Sequence, residues 1–124
     1  MIGSPRNLPD CYRPRADAYD KPGMPIFRGA LLEKYIKVTW RHDFESEPVM
    51  LYSELDENRN ELRKVEVYRS GHHDFSDGSR STGNTRLSEE PIPPILDINQ
   101  DAQFEASPIQ QEEFDAVWKN ALLS

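Results

Sequence analysis

Three short segments with strand-like alternation dominate the first half of the chain and are separated by short polar connections. They are residues 34–40, 49–55 and 61–68. In the first segment Ile36, Val38 and Trp40 fall on one face, because successive side chains of a strand point to opposite faces. Short polar connections favour antiparallel neighbours, so the pattern predicts a β-meander.

Two weaker segments extend this sheet. A short fourth strand is predicted around His73–Ser76, and Thr85–Leu87 is predicted as a fifth, edge strand. The proline-punctuated stretch 88–108 is expected to wrap over the domain, with a single helical turn near Ile95–Asn99.

The last element has helical periodicity. Its apolar residues recur at three- and four-residue steps, and they are Phe114, Val117, Trp118, Ala121 and Leu122. Ser107 is the predicted N-cap, Pro108 the first helical residue, and Gln110 follows in capping-box spacing. The sequence therefore predicts an amphipathic helix over 108–122, with Phe114 and Trp118 packed onto the sheet.

Together these elements predict an α+β fold. We expect an antiparallel meander sheet of four to five strands with one C-terminal amphipathic helix packed on a face. Residues 34–124 form this single domain. Residues 1–33 are predicted to be an extended or disordered arm, because residues 1–26 hold five of the chain's ten prolines.

The net charge of the chain is concentrated near its C-terminus. Residues 89–124 carry eight acidic side chains and one basic one, which equals the net charge of −7 for the whole chain. An acidic region repels nucleic acid and anionic membranes and attracts basic proteins. Lys37, Thr39 and Lys64 suggest a modest positive sheet face, but Glu66 offsets it. We therefore expect no nucleic-acid or membrane partner.

Cellular location is predicted from what the sequence lacks. Cys11 is the only cysteine, so no internal disulfide forms, and residues 1–30 contain no apolar run typical of a signal peptide. No segment approaches the roughly 18 apolar residues of a membrane span. A cytoplasmic location is the resulting expectation.

The histidines and the glycine-containing loop are weak candidates for binding sites. His72, His73 and Asp74 are adjacent on a predicted strand, where neighbouring side chains diverge and chelate poorly. The loop Ser79–Asn84 lacks the Gly-Lys-Ser/Thr ending of a phosphate-binding loop. The sequence therefore predicts neither a metal site nor a cofactor.

One set of residues leaves a small-ligand or enzymatic function open. His42 lies at the end of the first strand, and Glu54 and Arg63 face each other across the next two strands. The ordinary interpretation is that Glu54 and Arg63 form a structural ion pair. The alternative is a ligand pocket formed by these three residues, bounded by the sheet and residues 88–106.

Much of the chain resembles a bacterial family of small, uncharacterised single domains. The resemblance runs from Tyr35 to Trp118, and its pieces are Tyr35–His42, Pro48 with Leu51–Asp56, Glu61–Tyr68, Thr85–Leu87, Glu90–Pro93, Ile98-Asn99 with Phe104, and Glu113-Phe114 with Trp118. It implies a fold and brings no established activity or catalytic residue. The ending Ile109–Trp118 also resembles the C-terminal helix of immunity proteins of bacterial toxin systems, which are small acidic binding domains.

These observations favour a non-enzymatic, cytoplasmic protein-binding domain. We expect an immunity or inhibitor protein that engages a basic partner, such as a toxin domain, through its acidic C-terminal third. The expected contacts are Glu89, Glu90, Asp97, Asp101, Glu112 and Asp115. A third hypothesis is a self-assembling protein whose N-terminal arm crosses to a neighbour; the sequence leaves the oligomeric state open.

Overall fold

A computed structural model of the protein describes residues 33–123, which contain one five-stranded antiparallel sheet. The strands are β1 (Tyr35–Trp40), β2 (Pro48–Leu55), β3 (Glu61–Tyr68), β4 (His73–Ser76) and β5 (Phe104–Pro108). Two helices accompany them, α1 (Ile95–Ile98) and α2 (Gln111–Leu123). The predicted arm lies outside the described residues except for Glu33, as does Cys11, so the predictions made for them stay predictions.

Strands β1 to β4 form a meander, and β5 joins the free edge of β1. The order across the sheet is β4-β3-β2-β1-β5. The short turns predicted between the first three strands produce this topology, because each brings the chain straight back beside the strand it has left. The predicted α+β fold, with an antiparallel sheet and a C-terminal helix, is confirmed.

The two faces of the sheet have different coverings. Ile36, Val38 and Trp40 are buried on one face, where they pack against Ile92 and Ile98 of the segment 88–103. We call this the loop-covered face. Helix α2 packs on the opposite, helix-covered face. The predicted sharing of a face by Ile36, Val38 and Trp40 is confirmed, as is the helical turn near 95–99.

The predicted fifth strand is in the wrong place. Thr85–Leu87 forms no strand; it crosses the loop-covered face, where Thr85 is buried. The strand that completes the sheet is β5, with Val38 opposite Ala106 and Trp40 opposite Phe104. Pairing with β5 satisfies the backbone N–H and C=O groups at the open edge of β1. Thr85 and Arg86 contact Glu66 and Lys64 of β3 instead, which is two strands away from that edge.

Helix α2 begins three residues later than predicted. Ser107 and Pro108 belong to β5, and the Ile109 N–H continues the pairing by donating to the Tyr35 carbonyl. The helix therefore starts at Gln111, after Gln110, whose carbonyl accepts the first helical hydrogen bonds. The helical periodicity predicted the apolar face correctly. The predicted N-cap was wrong, because Ser107 and Pro108 pair with β1 as part of β5.

The helix is held on the sheet by large aromatic side chains. Phe114 is fully buried, and the Trp118 ring meets Phe75 of β4 edge-on at a centroid distance of 5.1 Å. Burying such rings stabilises by about 1.5–3 kcal/mol each. The predicted packing of Phe114 and Trp118 onto the sheet is confirmed. Within residues 33–123, neither helix has the length and apolar character needed to cross a bilayer.

Candidate functional site

Glu54 and Arg63 are directly opposite each other on β2 and β3. The Arg63 Nε donates to Glu54 Oε1 at 2.5 Å, and Tyr35 Oη donates to Glu54 Oε2 at 3.2 Å. The exposed fractions of the two charged side chains are 25% for Arg63 and 14% for Glu54. Each side chain therefore has its charge matched within the domain, as a structural ion pair requires.

The Arg63 guanidinium also fastens helix α2 to the sheet. It lies 4.7 Å from the centre of the Phe114 ring and 5.0 Å from that of Trp118, and it reaches Asp115 at 3.4 Å. Burial lowers the pKa of Arg63, but the hydrogen bond and charge of Glu54 outweigh burial and raise the pKa above its usual value. Burial, together with the Glu54 charge, raises the pKa of Tyr35.

His42 is locked by two hydrogen bonds. Its Nδ1 accepts a bond from the Phe44 backbone N–H at 2.9 Å, so this nitrogen carries no proton. The Nε2 lies 2.7 Å from the Pro48 carbonyl oxygen and must be the nitrogen that donates. Both ring nitrogens are thereby occupied, and the ring packs against that of Trp40 at a centroid distance of 4.2 Å and an interplanar angle of 57°. A histidine held in this way is poorly placed to act as a general base.

The three residues of the predicted ligand pocket do not come together. Glu54 and Arg63 lie near the start of β1, because Tyr35 is opposite Glu54. His42 follows Trp40 at the other end of β1, roughly 16 Å away at the usual rise of a strand. The sequence placed each residue on the correct element, but it could not show that Glu54 and His42 belong to opposite ends of the sheet.

A buried polar cluster on the loop-covered face was missed by the sequence analysis. Lys64 is fully buried; its Nζ donates to the Arg86 carbonyl at 3.0 Å and lies 3.4 Å from Glu61 Oε1. Glu66 beside it is also fully buried and accepts a hydrogen bond from the Thr85 hydroxyl. Lys64 points away from Lys37 and into the interior, so it adds no positive charge to the face that carries Lys37 and Thr39.

The loop Ser79–Asn84 encloses carboxylates of the protein itself. The Thr82 hydroxyl donates to Asp74 Oδ1, which also lies 3.0 Å from His72 Nε2. The N–H groups of Ser79 and Arg80 donate to Asp77 Oδ1, and these bonds lower the pKa of Asp77. The donors of this loop named above are therefore already bonded to carboxylates of the protein. In the part of the chain that the structure describes, no group of three metal-ligating side chains is placed to hold an ion.

A comparison with protein families identifies the domain. The family model described as a domain of unknown function (DUF6881) matches residues 34–123, which contain every strand and helix given above. The chain belongs to the DUF6881 family. No curated protein and no solved structure matches it. The resemblance to a family of uncharacterised domains is confirmed to this extent.

The six predicted acidic contacts of this DUF6881 domain lie in three separate places. Glu89 and Glu90 follow Ser88, whose N–H donates to Glu61 at the start of β3. Asp97 and Asp101 belong to the segment over the loop-covered face, and Glu112 and Asp115 lie on α2 at the opposite face. Four of the six are exposed, whereas Asp97 and Asp101 are half-buried. The six residues are therefore distributed over three parts of the fold, and their role as partner contacts stays a prediction.

Part of the acidic third of the DUF6881 domain is matched by basic residues of the sheet. Three acidic residues pair with basic side chains of β1, β3 or the residue after β1; the pairs are Glu105 with Arg41, Glu113 with Lys37, and Asp115 with Arg63. These contacts tie β5 and α2 to the meander. The pattern of charge in the sequence did not reveal them, because each partner is more than fifty residues away along the chain.

Proposed function

We propose that this DUF6881 domain is a non-enzymatic protein-binding domain that engages a basic protein. The observation that carries the proposal is the charge of the folded surface. Nine acidic side chains are exposed in residues 33–123, against six basic ones. The fully buried Lys64 adds nothing to the surface, so an approaching partner meets a negative field, which accelerates the association of basic proteins.

A second observation supports a binding function over a catalytic one. The side chains that the sequence offered for chemistry are held by other groups of the domain: Glu54 by Arg63 and Tyr35, and His42 by Phe44 and Pro48. Active sites keep such groups aimed at a cleft where a substrate can reach them.

The proposed biological role is that of a cytoplasmic immunity or inhibitor protein of a bacterial toxin system. Such a protein must neutralise a toxin by covering it, which requires a rigid surface of complementary charge rather than a catalytic centre. The ordered sheet and the acidic surface of this domain support this proposal. The self-assembly hypothesis stays a prediction, because the arm on which it depends lies outside the described residues.

The experiment is capture of a partner followed by kinetics with purified components. The full chain is immobilised, bound proteins from its own cell are identified, and the association rate of the purified partner is measured. The variant Glu89→Lys with Glu90→Lys should slow association several-fold and reduce its dependence on salt. Glu57→Lys is the matched control for the single change Glu89→Lys, because it changes the net charge by the same amount at an exposed acidic residue outside the predicted contacts.

Two outcomes would contradict the proposal. If the captured protein is acidic, or if its association rate does not depend on salt, the domain does not recognise basic charge. If the Glu89→Lys, Glu90→Lys and Glu112→Lys changes all leave a basic partner's binding unchanged, these predicted contacts are wrong and the acidic third serves only solubility.

A further inference from the structure

The connection between β1 and β2 presents an aromatic ring to solvent. Phe44 is 59% exposed, and it is the only exposed aromatic residue among residues 33–123. It is flanked on both sides by the exposed carboxylates of Asp43 and Glu45, and Glu47 follows. An isolated exposed apolar residue needs no explanation by itself, so the loop around it decides whether this one has a role.

The loop holds Phe44 in a fixed position. The Phe44 N–H donates to His42 Nδ1, and the Phe44 ring stacks on the His42 ring at 5.4 Å with an interplanar angle of 26°. His42 is itself fixed by Pro48 on one side and by its contact with the buried Trp40 on the other. The His42 carbonyl accepts a hydrogen bond from Arg69. The exposed ring is therefore supported on a chain of contacts that begins in the core.

Such an arrangement is useful for binding because the loop is already ordered. A large ring that enters a partner's pocket contributes much of the binding free energy of an interface, and Phe44 has few rotamers to lose. Ordering a flexible loop on association would cost affinity, and the two hydrogen bonds of His42 remove that cost in advance.

The charges around Phe44 specify the partner. Two exposed carboxylates flank the ring, on Asp43 and Glu45, whereas Glu47 is half-buried and accepts a hydrogen bond from Ser46. The nearby basic residues are Arg41, which pairs with Glu105, and Arg69, which donates to the His42 carbonyl. The outer rim of the loop is consequently acidic, and a pocket that accepts Phe44 would place its own rim against these carboxylates.

We infer that Phe44 is the anchor of the partner interface, and that the partner offers an apolar pocket rimmed by arginine or lysine side chains. This inference rests on the proposed function and adds the contact that supplies most of the affinity. It places that contact outside the acidic C-terminal third, at the end of the sheet where Gln103 meets Trp40.

The test uses a phage-displayed library of random disulfide-constrained peptides, which can form an apolar pocket, selected against the full chain. The enriched peptides should combine an aromatic or aliphatic residue with arginine or lysine. A synthetic copy of the best peptide should bind Phe44→Ala about tenfold or more weakly than the unchanged protein, and Leu62→Ala less than about twofold differently. Leu62 is the matched control, because it is an apolar residue that is also exposed, at 41%.

A second variant removes the carboxylates beside Phe44 and leaves Phe44 itself unchanged. Asp43→Asn with Glu45→Gln should weaken the peptide several-fold and flatten the salt dependence of its binding. Neither exposed change should alter folding, which circular dichroism verifies for each variant.

The remaining outcomes overturn the inference in distinguishable ways. If basic peptides bind Phe44→Ala unchanged but are lost in Glu89→Lys with Glu90→Lys, the anchor is wrong while the proposed function stands. If the selected peptides depend on Phe44 but are neutral and insensitive to salt, the loop binds and the basic partner is wrong. If no peptide is enriched, the loop is not a recognition site.

Discussion

Arg63→Met should destabilise the domain by about 3 kcal/mol. The change keeps the aliphatic stem but removes a charge-assisted hydrogen bond to Glu54, which contributes about 1.5–3 kcal/mol. It also removes the two contacts with the rings of Phe114 and Trp118, at about 0.5–1 kcal/mol each. The lower half of the summed range applies, because Arg63 keeps 25% of its side chain exposed and solvent screens part of each interaction.

The control is a second arginine with a pair of equally short distance. Arg41 lies 2.6 Å from Glu105, but the exposed fractions of these side chains are 54% and 67%. Arg41→Met should therefore cost less than about 1 kcal/mol. The pair of variants tests whether a short distance between charged atoms is sufficient for a large stabilisation.

Urea unfolding followed by tryptophan fluorescence measures both variants, since Trp118 reports on the contact between α2 and the sheet. A cycle with Glu54→Gln should return a coupling free energy of about 1–2 kcal/mol between Glu54 and Arg63. A loss below 1 kcal/mol for Arg63→Met, or one no larger than for Arg41→Met, would refute the argument that this ion pair is a structural element.

Three further predictions concern the edge of the sheet and the polar loop. Asn99→Ala should cost about 1–3 kcal/mol in urea unfolding, because the Asn99 side chain bonds both the N–H and the carbonyl of Ala106; a change below 0.5 kcal/mol would contradict this role. Gly83→Ala should lower Tm by at least several degrees, because φ is +58° and a Cβ would lie 2.5 Å from Asp74 Oδ2; an unchanged Tm would show that the loop adapts freely. The pKa of Asp77 is lowered by backbone hydrogen bonds from Arg80 and Ser79, so its stabilisation is complete above the ordinary pKa of 3.8 and is lost as the pH falls through the lower folded value. Asp77→Asn should therefore unfold less steeply with acid below about pH 4, and a pH profile identical to that of the unchanged protein would refute the assignment.

Local patterns in the sequence predicted most of the fold. Alternation located β1 to β3 within one residue, and the three- and four-residue spacing of Phe114 and Trp118 identified the helix face. The edge strand β5 was missed although Phe104 and Ala106 point inward in alternation, because a five-residue strand that ends in Pro108 carries little strand signal. Its existence depends on an open edge of β1, which is a property of the folded sheet.

The candidate site was harder to predict for a related reason. Lys64 and Glu66 alternate with Val65 and Val67, which favoured an exposed position for the two charged residues. Both are buried because residues 85–88 return across the sheet and bring a carbonyl and a hydroxyl to them. Burial of charge depends on partners distant in sequence, so alternation alone could not show which face is interior.

The salt dependence of association with the captured partner tests the central claim most directly. The association rate constant would be measured by stopped-flow fluorescence from about 50 mM to about 500 mM salt. We predict a steep fall with increasing salt, which Glu89→Lys with Glu90→Lys reduces. A rate that stays constant across this range would contradict recognition of a basic protein by the acidic surface.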